Sequence, residues 1–350
     1  MTALLPARTA DVDAVARNRV RRASRRRLVI TALAVLVVAV FVTTLMVGRT
    51  SYPLGDVVRV VLGERVPGAS FTVGRLRLPR GVLAVAAGLS FGLAGVTFQT
   101  MLRNPLASPD VIGISSGASA AAVVGIVIIS LSGTAVSTLA VAAALGVALL
   151  IYGLAFKGGV AGTRLILIGI GIGAMLTSVI NYVLTKAGQW DYQEALRWLT
   201  GSLNGTTWTA VLPALIALLV LGPVLLGQTK NLSALQLGDD TAAALGVRVE
   251  RTRLVAIVAA VVLVAFATAA CGPIAFVSFL AGPIAARIVG PNGSLLVPAA
   301  LVGSLLVLVA DLVGQFAFDT RFPVGVVTGV LGAPYLIYLI IRTNRAGGSL

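Results

Sequence analysis

Arg25-Arg-Arg-Leu-Val-Ile-Thr-Ala-Leu-Ala-Val-Leu-Val-Val-Ala-Val-Phe-Val-Thr-Thr-Leu-Met-Val47 is the stretch whose reading decides the fold. Three arginines end where an unbroken apolar run begins. A helix rises 1.5 Å per residue and bilayer hydrocarbon is about 30 Å thick, so roughly 20 apolar residues are enough to cross it. The run from Leu28 to Val47 meets that length and exceeds the roughly 7–15 apolar residues of a cleaved signal peptide, so it is expected to remain as a spanning helix. Outside this stretch the chain has the same character. Of its 350 residues 58% are hydrophobic and 11% charged, against about 25% charged in a soluble domain. Too little polar surface would remain to cover a soluble core, and the apolar surface is too large for disorder.

Nine further apolar runs stand between polar or Gly/Pro punctuation, giving ten expected spans at 28–48, 81–101, 110–131, 134–156, 164–186, 209–227, 254–270, 272–289, 295–316 and 323–341. The seventh and eighth are divided at Cys271-Gly272-Pro273, because proline lacks the amide donor and glycine weakens a helix. The runs are long and do not alternate, which excludes a β-barrel. The expected fold is an all-α membrane bundle. A basic cytoplasmic tail, 1–27, precedes one ten-span domain, 28–341, with an outer segment at 49–80 and a long inner loop at 228–253, and a short tail, 342–350, follows.

Net charge is +15. Eight of the 27 basic residues lie in the first 27 positions, beside the first span, which is the pattern of a cytoplasmic anchor facing anionic lipid and not of a nucleic-acid surface. With both termini inside, eighteen basic residues fall inside and nine outside. Six of those nine (Arg49, Arg59, Arg65, Arg75, Arg77 and Arg80) crowd the outer segment, where an acidic protein partner would account for them. Trp190, Trp198 and Trp208 all fall at 187–208, the composition of a short interfacial helix. Gly88/Gly92, Gly113/Gly117, Gly169/Gly173 and Gly325/Gly329 have the spacing that lets membrane helices approach closely.

Several chemistries are excluded. Histidine is absent, which removes imidazole metal sites and the Ser-His-Asp triad. The single cysteine, Cys271, can form neither an internal disulfide nor a thiolate cluster. No Gly-Lys pair occurs, so no Walker A phosphate loop exists. Of the 12 acidic residues only Asp311 is expected within the body of a span, whereas ion-coupled transporters place several ionisable groups near the midplane. A stand-alone secondary transporter would depend on Asp311; the other reading of that residue is a structural ion pair. In the inner loop, Asp239 and Asp240 suit a helix N-terminus and Gly246 a left-handed stop, giving a stub too short to span. Its Leu235, Leu237, Ala243 and Leu245 would meet water unless a partner or the bundle itself covers them. Ser108-Pro109 reads as an N-cap and first-turn proline opening the third span after a short, stiff turn.

Five motifs stand in order: Arg75-Leu-Arg-Leu-Pro-Arg80; Gln99 with Arg103-Asn-Pro-Leu-Ala-Ser-Pro-Asp110; Gly113-Ile-Ser-Ser-Gly-Ala118; Leu237-Gly238 with Ala244-Leu-Gly246; and Phe322-Pro-Val-Gly325 with Gly332-Ala-Pro334. Together they resemble the permeases of the iron–siderophore and cobalamin ABC importers, the FecCD type, over residues 50–341. The resemblance implies a cobalamin-importer-permease-like bundle in the bacterial cytoplasmic membrane. It implies a second permease subunit, identical or homologous, two cytoplasmic ATPases and an extracytoplasmic binding protein. No cofactor is implied in this chain; ATP and magnesium belong to the ATPases. Ferric siderophore is the commonest cargo of such permeases, with cobalamin and haem as alternatives.

The resemblance also implies roles. Arg77 and Arg80 match arginines that pair with glutamates of the binding protein. A third such arginine is replaced by Gln315, and Arg321 stands six residues on as a substitute. Asn104 and Leu106 match one half of a cytoplasmic gate, Gly162 and Thr163 the other. Residues 235–246 resemble the coupling helices that sit in a groove of the ATPase, with Leu235, Leu237, Gly238, Asp239, Ala243, Leu245 and Gly246 in the segment. Span eight reads Ala281-Gly-Pro-Ile284 where the family has Pro-His near this point. Thr177, Ser178, Asn181 and Thr328, polar positions on the otherwise apolar spans five and ten, are the expected path lining.

Overall fold

The computed structural model of the protein describes residues 9–110, 112–155, 162–290 and 293–345. Every regular element among them is helical. Helix α1, Thr9–Met46, carries the basic tail straight into the first span, so the expected boundary at 27/28 falls inside one helix. A short α2, Leu54–Val61, and a π-helical turn, Ser70–Arg77, lead into α3, Leu78–Leu102. There follow α4 (Ile114–Val127), α5 (Thr134–Ala155), α6 (Gly162–Leu184), α7 (Gln189–Leu199) and α8 (Trp208–Gly227). Two stubs, α9 (Thr229–Leu235) and α10 (Asp239–Ala244), precede α11 (Val249–Cys271), α12 (Val277–Val289), α13 (Leu296–Phe316) and α14 (Val324–Arg345).

Seven of these helices are long and apolar enough to cross a membrane, and α4, α12 and the apolar part of α14 are shorter apolar helices. Together they occupy the ten expected spans. The split at Cys271 holds: α11 ends there, and Gly272, at φ 73°, turns the chain towards α12. A short helix, α7, stands where one was expected between spans five and six and carries Trp190, 83% exposed, and Trp198, whereas Trp208 opens α8.

Helix α3 is the axis of the bundle, buried along most of its length and packed against α8, α11, α12 and α13. Helices in lipid gain nothing from hydrophobic transfer when they meet, so close backbone contact must hold them. The glycines of α3 allow that contact. A Cβ on Gly92 would lie 2.3 Å from the Ala299 carbonyl oxygen, and one on Gly95 would lie 1.8 Å from that of Ser278. Gly169 meets Ile112 equally closely, whereas Gly329 faces open space and plays no part in packing within this chain.

Span three departs from expectation. It begins at Ile114, entered through Gly113 in the left-handed region at φ 86°, and no side chain caps it. Ser108 and Pro109 do not start the helix; both are buried in the connection 103–113, which tucks inward. Asp110 explains this, because its carboxylate accepts hydrogen bonds from Ser115, at 2.5 Å, and from Ser278 of α12. Those tertiary bonds outweigh the local preference for a proline-initiated turn, and the connection is neither short nor a simple tight turn.

The outer segment 49–77 is likewise folded. Val57, Val60, Val66, Ala69 and Val73 form a small core over Leu45 at the end of α1.

Candidate functional site

Three regions bear on function. At the end assigned inside by charge, α9 packs back on the bundle and buries Leu235 completely, so of the two expected covers it is the bundle that takes this leucine, which leaves it out of the exposed ATPase-facing set. Gly238, at φ 107°, and Gly246, at φ 83°, set the corners of α10. Leu237 and Leu245 are each 64% exposed, and Ala243 is exposed beside them. The result is a two-cornered stub with an apolar tip. Asp239 does not cap α10: Gly238 occupies the N-cap and no side-chain cap bond forms. Instead its carboxylate accepts from Arg103, at 2.9 Å, and from Arg253, at 2.8 and 2.9 Å.

The gate segment begins at the end of α3, where Arg103 takes the left-handed conformation at φ 50°. Asn104 shapes the turn that follows: its side-chain oxygen accepts the Leu106 amide at 2.9 Å, a local bond of the kind asparagine makes in turns. Leu106 stays 37% exposed. Gly162 and Thr163 open α6, and their side chains lie outside the described residues. Behind the gate, Gln99 donates to the Phe279 carbonyl at 3.0 Å, and a Cβ on Gly282 would strike its side chain at 1.9 Å. Gly282 thus leaves room for Gln99.

The second region is the outward face of α6, where Thr177, Ser178 and Asn181 are all exposed. The two hydroxyls bond carbonyls one turn back, at 2.8 and 3.1 Å, while the Asn181 amide has no hydrogen-bond partner among the described residues. A free amide facing hydrocarbon would cost several kcal/mol on the scale of about 2–7 for an unpaired polar group, so this face requires water or protein beside it. Thr328 does not join it. That residue is 4% exposed within α14 and bonds the Gly325 carbonyl.

At the opposite end lies a basic rim. Arg80 grips Asp311 through two parallel bonds of 2.9 and 2.7 Å, donates a third to Asn204 at 2.6 Å, and Gln315 completes the carboxylate at 2.8 Å. Arg77 donates to the carbonyls of Leu45, Met46 and Thr50, closing the end of α1. Both guanidinium groups therefore have internal duties. Arg321 and Arg49 are exposed and line the same cavity, of about 450 Å³, as Arg77, Arg80 and Asp311. Asp311, the one acidic residue expected within the body of a span, is thus held as an ion pair. Beside the cavity, the outer loops are locked: the Gly325 amide bonds the Gly201 carbonyl at 3.1 Å, and the Ser202 amide that of Cys271 at 2.7 Å.

A helical bundle with seven helices long and apolar enough to cross a membrane, an apolar-tipped stub at one end and a basic cavity at the other is a multi-span membrane protein. The chain belongs to the FecCD transport family, which matches residues 35–342. It is 40% identical over 325 residues to the ferric enterobactin transport system permease protein FepG of Escherichia coli (strain K12), covering 91% of this chain and 98% of that one. It is 35% identical over 322 residues to the iron(3+)-hydroxamate import system permease protein FhuG of Bacillus subtilis (strain 168), covering 88% and 95%. Against the cobalamin import system permease protein BtuC of Halobacterium salinarum the identity is 35% over 274 residues, covering 78% of this chain and 74% of that one. Among solved structures, one titled as an inward-facing metal-chelate type ABC transporter aligns with a TM-score of 0.81 at 27% identity, covering 90% of this chain and 99% of that one. The chain is a permease subunit, and ATP hydrolysis belongs to separate subunits.

Sequence reading missed three participants: Arg253, Asn204 and the cavity beneath the outer loops. Arg103 lay within a quoted motif, but nothing in its neighbourhood points to Asp239, 136 positions away.

Proposed function

We propose that this chain is the permease of an ABC importer that carries ferric siderophore across the bacterial cytoplasmic membrane by alternating access. The similarity to FepG along nearly the whole of both chains carries this reading. Both termini lie in the cytoplasm, a direction supported by the basic N-terminal tail. Two permease chains, identical or homologous, pair through the faces that include α6, so that Thr177, Ser178 and Asn181 meet a wet path between them and not lipid. A separate ATPase pair binds the stubs at Leu237, Ala243 and Leu245, and ATP with magnesium acts there. ATP-driven closure pushes α10, and the Asn104–Leu106 turn, with Gly162 and Thr163, opens or seals the inner end. A binding protein docks on the outer rim. Arg321, Arg49 and the exposed Arg65 and Arg75 offer it positive charge, while Arg77 and Arg80 brace the rim from beneath. Rim charges of this kind steer encounter more than they hold the complex, each exposed pair contributing about 0–1 kcal/mol.

Uptake of radiolabelled iron tests the cargo. A host lacking its own siderophore permeases would receive this chain with its partner subunits and be offered catecholate, hydroxamate and citrate chelates in turn. Uptake of at least one chelate supports the proposal; uptake of none of them, with uptake of radiolabelled cobalamin offered in parallel, would favour the BtuC-like reading.

A further inference from the structure

The inner end holds an ionic joint that no single motif contains. Asp239 lies at the first turn of α10, Arg103 directly after α3 and beside the Asn104–Leu106 turn, and Arg253 in the first turns of α11. Both guanidinium groups grip one carboxylate, at 2.9 Å from Arg103 and 2.8 Å from Arg253. Arg253 is only 12% exposed and is held from its other side by Glu250 at 3.7 Å, so it forms a fixed anchor. Arg103 and Asp239 are about half exposed, so their bond forms the adjustable side of the joint. The backbone shares this arrangement. Arg103 occupies a left-handed position that non-glycine residues rarely adopt, and Gly238, also at positive φ, brings α10 within reach of its guanidinium.

We propose that Arg103, Asp239 and Arg253 form the strut that ties the coupling stub to the gate turn, with Asp239 as its positioning residue. This rests on the reading of α10 as the ATPase-binding stub. A stub held only by flexible glycine corners would dissipate a push in its own loops. With two charge-assisted bonds to different helices, displacement of α10 drags the end of α3, and with it Asn104 and Leu106, while the anchor on α11 fixes the pivot. The ATPase contact proposed above is made by Leu237, Ala243 and Leu245, so the strut needs none of its three side chains to touch the ATPase.

Two measurements test this. In the first, the full importer is reconstituted in liposomes with Asp239→Asn, Arg103→Gln, the double variant and Asp239→Glu, and cargo moved per ATP hydrolysed is recorded alongside ATPase retention. The neutral variants should lower the coupling ratio at least about tenfold while keeping ATPase bound within about twofold. The double variant should be no worse than either single change, and Asp239→Glu should recover most of the ratio. In the second, spin labels on Leu106→Cys and Leu245→Cys report the gate-to-stub distance in the permease without ATPase. The native Cys271 is buried and will not compete for label. Asp239→Asn should broaden that distance distribution. An unchanged coupling ratio, loss of ATPase binding as the sole defect, or an unchanged distance distribution would each overturn the strut. Failure of the unmodified chain to retain ATPase, with the distance still responding to Asp239→Asn, would instead overturn the reading of α10 and leave the ionic joint standing.

Discussion

Breaking the Arg80–Asp311 pair at either partner should have unequal consequences, and the structure fixes the order. Arg80→Met leaves Asp311, 4% exposed, with only the Gln315 amide as partner. Stranding one member of a buried ion pair costs about 3–5 kcal/mol. Asp311→Asn is milder. The abandoned guanidinium is 17% exposed, keeps its bond to Asn204, and can still donate once to the new amide oxygen, so about 1–2 kcal/mol is expected. Combining both changes removes the stranded charge, so the double variant should be more stable than Arg80→Met alone. The assay is thermal unfolding in mild detergent, followed by tryptophan fluorescence. At about 2–3 °C per kcal/mol for a chain of this size, Arg80→Met should lose roughly 6–15 °C and Asp311→Asn roughly 2–6 °C. Additive losses in the double variant, or an Asp311→Asn loss exceeding that of Arg80→Met, would refute the argument that Arg80 is committed to the bundle. Arg80 would then be free to serve the docking partner.

Other outcomes follow from the same geometry. Gly92→Leu must push the Ala299 backbone away and should cost more than about 3 kcal/mol, seen as loss of the monodisperse peak in size-exclusion chromatography. Gly329→Leu has open space within the chain, so its melting temperature should be unchanged, and a shift would show an unseen contact. Ser178→Cys should react with a membrane-impermeant thiol reagent in the assembled importer, because its face meets water; reaction only with lipid-soluble reagents would place that face in hydrocarbon. Leu237→Asp with Leu245→Asp should reduce ATPase co-purification at least about tenfold with no change in melting, since both side chains are already exposed; undiminished co-purification would remove the stub from the ATPase interface.

The spans were legible because lipid imposes its constraint on every residue of a run. Leu28 to Val47 or Leu296 to Phe316 can be read one window at a time, and the Cys271-Gly272-Pro273 corner marks itself. The stub between Gly238 and Gly246 was equally local. What escaped reading is where a distant partner overrides a local preference. Ser108-Pro109 has the form of a helix start, yet Ser278, 168 positions on, draws Asp110 inward and delays the helix to Ile114. Asp239 has the form of a helix cap, yet two arginines take its carboxylate. Leu235 could be covered by a partner or by the bundle on its sequence alone, and only the fold shows that α9 lays it against the bundle. Arg80 and Asp311, 231 positions apart, each invite a functional reading alone; only the fold reveals that they satisfy one another.

The central proposal is that this chain works as the membrane half of an ATP-driven importer. Purification from its native host in mild detergent, after growth in low iron, followed by native mass measurement and peptide sequencing of what accompanies it, tests that most directly. The predicted result is a particle of two permease chains and two ATPase chains, whose masses also decide between identical and homologous permeases. A lone oligomer of this chain that transports after reconstitution without ATP would contradict it.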